Sequence, residues 1–340
     1  MNYELTINET VNHDVTKVTN VTVHAGQFHA DDVAAVALLQ IGNPDITYNR
    51  VFRVDGYNVE STEGNIVADI GGGVFDHHQK NVKRRLDGLK ECAATLVWQC
   101  YGYSIVREVF PGIEGAIVDY IVNKLDTSIL AYISAVDNGQ LIHTVSLKNE
   151  TDVEYVNPFA SKNESVNVGV NLFPYQLFDI SAAISSMNVT WNETQADQEQ
   201  QFEFAVQNIM KPILRRKLQL IKSSYECIQI ISDAVEKSEG GIVVLDRFAP
   251  WQDIVCEDKN AKAVVFFSNR NTWTVQLVPE VPNSFNTRVQ VPESWKGKRD
   301  DDAREVFHGL NFCHVAGFIS SYDSKEDALA AAKYIIEYNK

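Results

Sequence analysis

The sequence predicts an α/β protein of two lobes, an N-terminal lobe on a parallel sheet and a smaller C-terminal α+β lobe. Three observations carry this. Short apolar strands alternate with helical stretches through the first half, the order that produces parallel sheets. After Gly240-Gly241 the pattern changes to closely spaced strands, "GIVVLD", "AKAVVFFS" and "TWTVQLV", with Asn and Pro in their turns. The length, 340 residues, suits one large domain or two ordinary ones.

Taken in order, "TNVTVH" (19–24) reads as a short buried strand. From Ala30, "ADDVAAVALLQ" has helical composition, with Asp31 and Asp32 in its first turn, where carboxylates suit the helix dipole. "NIVADIG" (65–71) is a second buried strand, stopped by glycine. Residues 92–101 and 115–136 read as helices, the latter broken near Asp126. The polar, Asn-rich stretch 148–168 is expected to form a loop or lid. From Asn192 to about Leu220 the sequence is helical, and Pro212 is expected to kink the helix or start a new one. The three later strands read as a hairpin meander. In "SKEDALAAAKYIIEY", Ser324 caps a terminal helix, with Asp327 three residues on. The expected boundaries are a metal-binding lobe over 1–190, a helical connection over 191–235 and a substrate-binding lobe over 236–340.

Composition narrows the function. Hydrophobic residues make up 45% and charged residues 22%, as in globular proteins. No apolar run is long enough to span a bilayer, so no membrane partner is expected. "MNYELTINET" lacks the marks of a secretory signal or an Arg-rich transit peptide. The five cysteines are widely spaced and form no CxxC pair. Together these point to reduced thiols in a cytoplasmic protein. A net charge of −15 argues against electrostatic coating of duplex nucleic acid. Bound cations would nevertheless present local positive charge.

The chemistry gathers at the ends of elements. "HAGQFHADD" places His24, His29 and Asp31 after the first strand. Asp69 ends "NIVAD", Asp76-His77-His78 follows three glycines, and Asp137 precedes Asn138-Gly139. Singly, His24 reads as a buried histidine, Asp31 as a helix-start carboxylate and Asp137 as a turn residue. Together they read as a ligand set too large for one four-coordinate zinc. Nitrogen and oxygen donors without thiolate favour Mn2+, with Mg2+ or Co2+ as substitutes. A bridging carboxylate would hold two ions roughly 3.5–4 Å apart. In an extended segment His77 and His78 point to opposite faces, so one would ligate and the other meet substrate. Asp76 would orient a ring or stabilise the turn.

"HAGQFHADD", "VADIGGG…DHHQ" and "AVDNG" resemble the DHH phosphoesterase superfamily, and within it the Myg exonuclease family (melanocyte-proliferating-gene proteins). "PWQDIV", "WTVQLVPEVPNSFNTRVQVPESWKGKRDDDA" and "FCHVAGFISS" extend the likeness over about residues 20–335. The resemblance implies two divalent cations, one held by His24, His29 and Asp69, the other by Asp31, Asp69, His77 and Asp137. It implies His78 near the scissile phosphate, and Arg288, His314 and Arg299 as phosphate contacts in a second lobe that closes over substrate. The sequence departs from the family in its short "GGGVF", in Ala25 and Ala30 where Asn and Cys are usual, and in Ser320-Ser321-Tyr322.

The expected function is a metal-dependent 3′–5′ exonuclease acting on single-stranded RNA or short oligonucleotides. The alternatives are a small-molecule phosphatase for pyrophosphate or dinucleotides, and a non-enzymatic nucleotide-binding protein. The basic runs "KNVKRR" (80–85) and "LRRK" (214–217) read as strand guides or as solvated faces. Trp273 and Trp295 are available to stack a terminal base, although packing is the commoner use of such residues.

Overall fold

The computed structural model describes residues 13–53, 62, 64–80, 83–85, 87–140, 145–149, 152–155, 178–282 and 284–340. The chain divides into two compact units, Met1–Lys222 and Ser223–Lys340.

In the first unit β1 (Asn20–His24) is the middle of a three-stranded parallel sheet. Alternation turns Val21 and Val23 into the core and leaves Asn20, Thr22 and His24 half-buried. The crossover from β1 is α1 (Ala30–Gly42), buried along its whole length. Its apolar residues occur on every side, which suits a helix covered all round. At its end Gly42 is needed for close approach, since a Cβ there would lie 2.9 Å from both Ile105 and Val15. Next, β2 (Thr47–Val51) and β3 (Asn65–Val67) flank β1 in the order β2-β1-β3. The sequence had not announced β2, whose "TYNRV" carries polar residues on an edge strand.

Beyond the Asp-His-His segment, α2 (Ala93–Val109) packs on α1. Then come α3 (Gly115–Leu125), a π-helical turn at Asp126–Leu130, and α4 (Ala131–Asp137). The break expected near Asp126 is this π turn, where an inserted residue shifts the helix register without ending it. Buried Asp126 pairs there with Arg85 at 2.6 Å. A hairpin follows, β4 (Val145–Asn149) and β5 (Asp152–Tyr155), where a loop was expected. The rest of that stretch, residues 150, 151 and 156–168, lies outside the described residues.

The helical segment that follows comprises α5 (Ile180–Ser185), α6 (Gln195–Phe204), a π-helical run Ala205–Met210, and α7 (Lys211–Glu226). Pro212 sits just after the π run, and the helix continues through it. A proline cannot serve the residue four earlier, and here that residue lies in the altered register. Phe202, Val206, Met210, Leu214 and Leu218 recur every fourth residue and join the core around β1 and α1. Residues 195–222 fall within the first unit.

The second unit begins its own core with α8 (Ile228–Glu236) and β6 (Ile242–Leu245). Short α9 (Gln252–Val255) then crosses over to β7 (Ala263–Phe267), and β8 (Trp273–Leu277) follows. After α10 (Asp300–Val306) come β9 (Leu310–Cys313), β10 (Ile319–Tyr322) and α11 (Lys325–Tyr338). The sheet order is β6-β7-β8-β10-β9. Only β7–β8 obeys the expected meander. β6 pairs with β7 in parallel because buried Trp251 and Val255 anchor the α9 crossover. Ser324 caps α11 by accepting from Asp327 N at 3.0 Å, and Ala328, Ala331, Ala332 and Ile335 line its buried face. Among the described residues no helix is long and apolar enough to cross a membrane. The five cysteines are free thiols, three of them buried.

Candidate metal centre

The centre is built at the carboxyl ends of β1 and β3. His24 is the last residue of β1. The loop after it is clamped by Arg50, which donates through Nε to the His24 carbonyl (3.2 Å) and through Nη2 to the Gly26 carbonyl (2.7 Å). The guanidinium also pairs with Glu199 at 3.0 Å and lies 4.3 Å from the Phe202 ring centroid. Asn188 closes the other end of the loop, exchanging two hydrogen bonds with the Phe28 backbone. No sequence motif singles out Arg50 or Asn188.

Asp69 has φ +57°, a left-handed conformation that Asp tolerates better than most residues. Gly71 and Gly72 follow at +87° and +74°. This tight reversal brings Phe75 beside Ala68 in a parallel bridge and returns the chain to Asp69, whose N–H donates to the Phe75 carbonyl. The glycines before Asp76-His77-His78 thus supply backbone freedom that side-chain-bearing residues lack. Asp76 secures the turn: its Oδ2 accepts from Gly72 N at 2.6 Å, and its Oδ1 accepts from His78 N at 3.0 Å and meets His78 Nδ1 at 2.9 Å. That bond leaves the other ring nitrogen of His78 free on a side chain 62% exposed.

Four carboxylates (Asp31, Asp32, Asp69 and Asp137) and four imidazoles (His24, His29, His77 and His78) gather here. His24 Nε2 lies 3.1 Å from Asp69 Oδ2 and 3.3 Å from Asp32 Oδ2. His77 Nε2 lies 3.0 Å from Asp69 Oδ1, 3.3 Å from Asp137 Oδ2 and 3.5 Å from Asp31 Oδ2. Three groups of donors are close enough to share an ion: His24, Asp32 and Asp69; Asp69, His77 and His78; His29, Asp31 and Asp137. Asp69 belongs to two of them.

The donor set fits divalent cations. Asp31 Oδ1, Asp32 Oδ2, both oxygens of Asp69 and Asp137 Oδ2 are buried without a hydrogen-bond partner among the described residues. Several nevertheless lie near 3 Å from an imidazole nitrogen. Short distances without hydrogen-bond alignment are what atoms aimed at a common point produce, since neighbouring ligands of an octahedral ion at ~2.1 Å are about 3 Å apart. One difference from the expected ligand set concerns His29 and Asp32. As first residue before α1, His29 groups with Asp31 and Asp137, whereas Asp32 takes the place beside His24. Asp32 Oδ1 caps the helix by accepting from His29 N and Val33 N, which leaves Oδ2 turned to His24. The pair Asp31-Asp32 was visible in the sequence; only packing showed that both side chains are buried.

Without cations the cluster holds protons. Burial disfavours the His24 imidazolium, but the Asp69 carboxylate 3.1 Å away and the charge of Asp32 outweigh it and raise its pKa to about 9. Burial, with Asp69 close by, raises Asp32 to about 7 even against His24. Asp31 and Asp137 are also raised, burial being the first cause. Asp69 is lowered, because the His24 and His77 imidazoles beside its two oxygens overcome its burial. Asp76 falls to about 2, as bonds from His78 and Gly72 overcome its burial. The hydrogen bond to Asp76 raises His78.

These shifts set a pH dependence. Asp32 at about 7 in the fold, against 3.8, destabilises as pH rises through that interval. His24 at about 9, against 6.5, contributes stability that is complete below 6.5 and lost through 9. Metal-free protein should therefore melt progressively lower from pH 5 to pH 9, and saturating Mn2+ should remove or reverse the slope. Thermal melts with and without chelator check this; parallel curves would contradict it.

In the second unit the three expected phosphate contacts have different surroundings. Arg288 is committed to its own fold: Nη1 donates to the Asp258 and Ala261 carbonyls (2.5 and 2.8 Å), and Nη2 to the Cys256 carbonyl (2.7 Å). It ties down the segment after α9. His314 accepts from Ala316 N through Nδ1 and lines a cavity of about 550 Å³ with Gln276, Phe312 and Ser321. Exposed Arg299 lies over the Phe312 ring at 5.0 Å. Trp295 is buried and stacked on Tyr334, so it packs the core.

Comparison with known proteins agrees with this architecture. The sequence profile of the MYG1 exonuclease family, described as "Uncharacterised protein family (UPF0160)", matches residues 20–336. The chain is 28% identical to the MYG1 protein of Dictyostelium discoideum over 92% of its own length and 94% of the relative's. It is 26% identical to the MYG1 exonuclease of Rattus norvegicus, covering 92% and 83% of the two chains. Identity to the MYG1 exonuclease of Homo sapiens is 25%, covering 92% and 84%. No solved structure matches. A profile match across nearly the whole chain, spanning both units, makes this protein a member of the MYG1 exonuclease family.

Proposed function

We propose that the protein is a two-metal phosphodiesterase of the DHH type that removes nucleotides from the 3′ ends of single-stranded RNA or short oligonucleotides. The observation that carries the reading is the set of buried, unpartnered carboxylate oxygens converging with His24 and His77 on one place. The exonuclease names of the rat and human relatives support a nucleic-acid substrate.

His24, Asp32 and Asp69 would hold one cation, and Asp69, His77, Asp31 and Asp137, with His29 beside them, the other. Mn2+ suits this nitrogen and oxygen set, with Mg2+ or Co2+ as substitutes. Bound there, the cations supply Lewis acidity that activates water and offsets charge on the phosphoryl oxygens. The remaining work belongs to the chain. Arg50 and Asn188 hold the loop carrying His24, and Asp76 orients the His78 ring. The hydrogen bond to Asp76 raises the pKa of His78, which favours the protonated ring that a general acid for the leaving oxygen needs. His314, beside its own cavity, and Arg299 are the candidate phosphate contacts of the second unit.

The test is direct. Purified protein with Mn2+, Mg2+ or excess chelator is given labelled single-stranded RNA, DNA, dinucleotides and pyrophosphate in parallel. Metal-dependent release of mononucleotides from 3′ ends is expected. Turnover of pyrophosphate alone would make the protein a small-molecule phosphatase, and undiminished turnover in chelator would end the metal reading.

A further inference from the structure

Beside the carboxylate–imidazole cluster the first unit opens a cavity of about 1160 Å³, whose lining includes His29, His77 and Asp137. Three cations share that lining: Lys80, Arg84 and Lys90. Arg84 and Lys90 are partners in an antiparallel β-bridge, the position at which like charges face and repel. Arg84 gives one N–H to the Gly88 carbonyl (2.9 Å), closing the turn between them. Among the described residues no carboxylate pairs with any of the three.

The described residues around this bridge are tied to the rest of the first unit. Arg85 pairs with buried Asp126, Ser134 Oγ donates to the Lys90 carbonyl (2.7 Å), and Lys90 N donates to Gln140 Oε1 (2.7 Å). Ser181 Oγ, buried and without a hydrogen-bond partner among the described residues, lines the same cavity. In a chain of net charge −15, three cations line this one cavity, beside the carboxylates of Asp137 and Asp179 on the same lining. An anion there would relieve the Arg84–Lys90 repulsion. The cavity also exceeds the roughly 300–1,000 Å³ of ordinary small-ligand pockets, which leaves room for more than one nucleotide.

We propose that Lys80, Arg84 and Lys90 form a subsite for a second phosphate of the substrate, one nucleoside removed from the phosphate at the metal centre. The inference rests on the phosphodiesterase reading and specifies its substrate class: a strand with at least two phosphates separated by a nucleoside, in preference to pyrophosphate or an isolated diester.

The experiment compares a dinucleotide bearing a 5′-phosphate with the same dinucleotide lacking it, in the full-length protein and in a Lys80→Gln/Arg84→Gln/Lys90→Gln variant. Turnover is measured with Mn2+, and equilibrium binding by fluorescence anisotropy with Ca2+. The phosphorylated form should bind at least tenfold tighter and show a correspondingly lower KM in the parent protein, and the variant should lose that preference. Equal binding of the two dinucleotides, or a preference that survives in the variant, overturns the subsite. If neither dinucleotide is cleaved yet the binding preference is present and lost in the variant, the subsite stands and the hydrolytic reading falls.

Discussion

Replacing Asp69 by Asn is expected to reduce turnover on the order of a thousandfold or more. Each ~1.4 kcal/mol is a factor of ten in rate, and loss of a shared ligand removes several kcal/mol of charge stabilisation. Both Asp69 oxygens are engaged, one facing His24 and the other His77. The amide offers a single acceptor oxygen and no charge to the two cations that the proposed function would place there. The substitution is also a clean one, because Asn tolerates the left-handed backbone at this position as Asp does. The folded variant should contain less metal by elemental analysis, and its melting temperature should no longer rise with Mn2+ as the parent's should. Unchanged activity in Asp69→Asn would sink the bridging role.

His78→Ala is expected to retain its metal and lose roughly a hundredfold or more in rate, the usual contribution of a general acid. The side chain is largely exposed, so little stability is at risk. Its Nδ1 is occupied by Asp76, which leaves the far nitrogen for the substrate. His77, whose Nε2 faces Asp69, Asp31 and Asp137, should instead lose a cation when replaced by Ala. Metal analysis beside single-turnover kinetics separates the two. Metal loss in His78→Ala would reverse the roles of the pair, and an unaltered rate with full metal would leave His78 without a role.

The pairing of β6 with β7 shows where sequence reading stops. Three apolar stretches after Gly240-Gly241 look equally like hairpin strands. Periodicity reports which side of a strand is apolar, not which neighbour it takes. The α9 crossover, anchored by Trp251, makes the first pair parallel. Arg288 teaches the same lesson at a smaller scale. The resemblance implies a phosphate contact there, while the fold shows its Nη donors on three backbone carbonyls, contacts that no local spacing announces.

By itself the sequence determined what local spacing can encode. It marked the strand ends at His24 and Asp69, the helix start at Asp31-Asp32, the glycines before Asp76-His77-His78, and the capped terminal helix at Ser324. Each depends on a few neighbouring residues, so the chain states it directly. Tertiary structure decided which of these ends meet. Asp32 turned out to face His24 while His29 groups with Asp137, and Arg50 came to clamp the first loop from a neighbouring strand. Arg84 and Lys90 were brought opposite each other beside the same centre. The groupings of His29 with Asp137 and of Arg50 with the first loop join residues far apart in the chain. They follow from the parallel register of β1 with β2 and β3 and from burial of α1, which depend on packing across the whole unit.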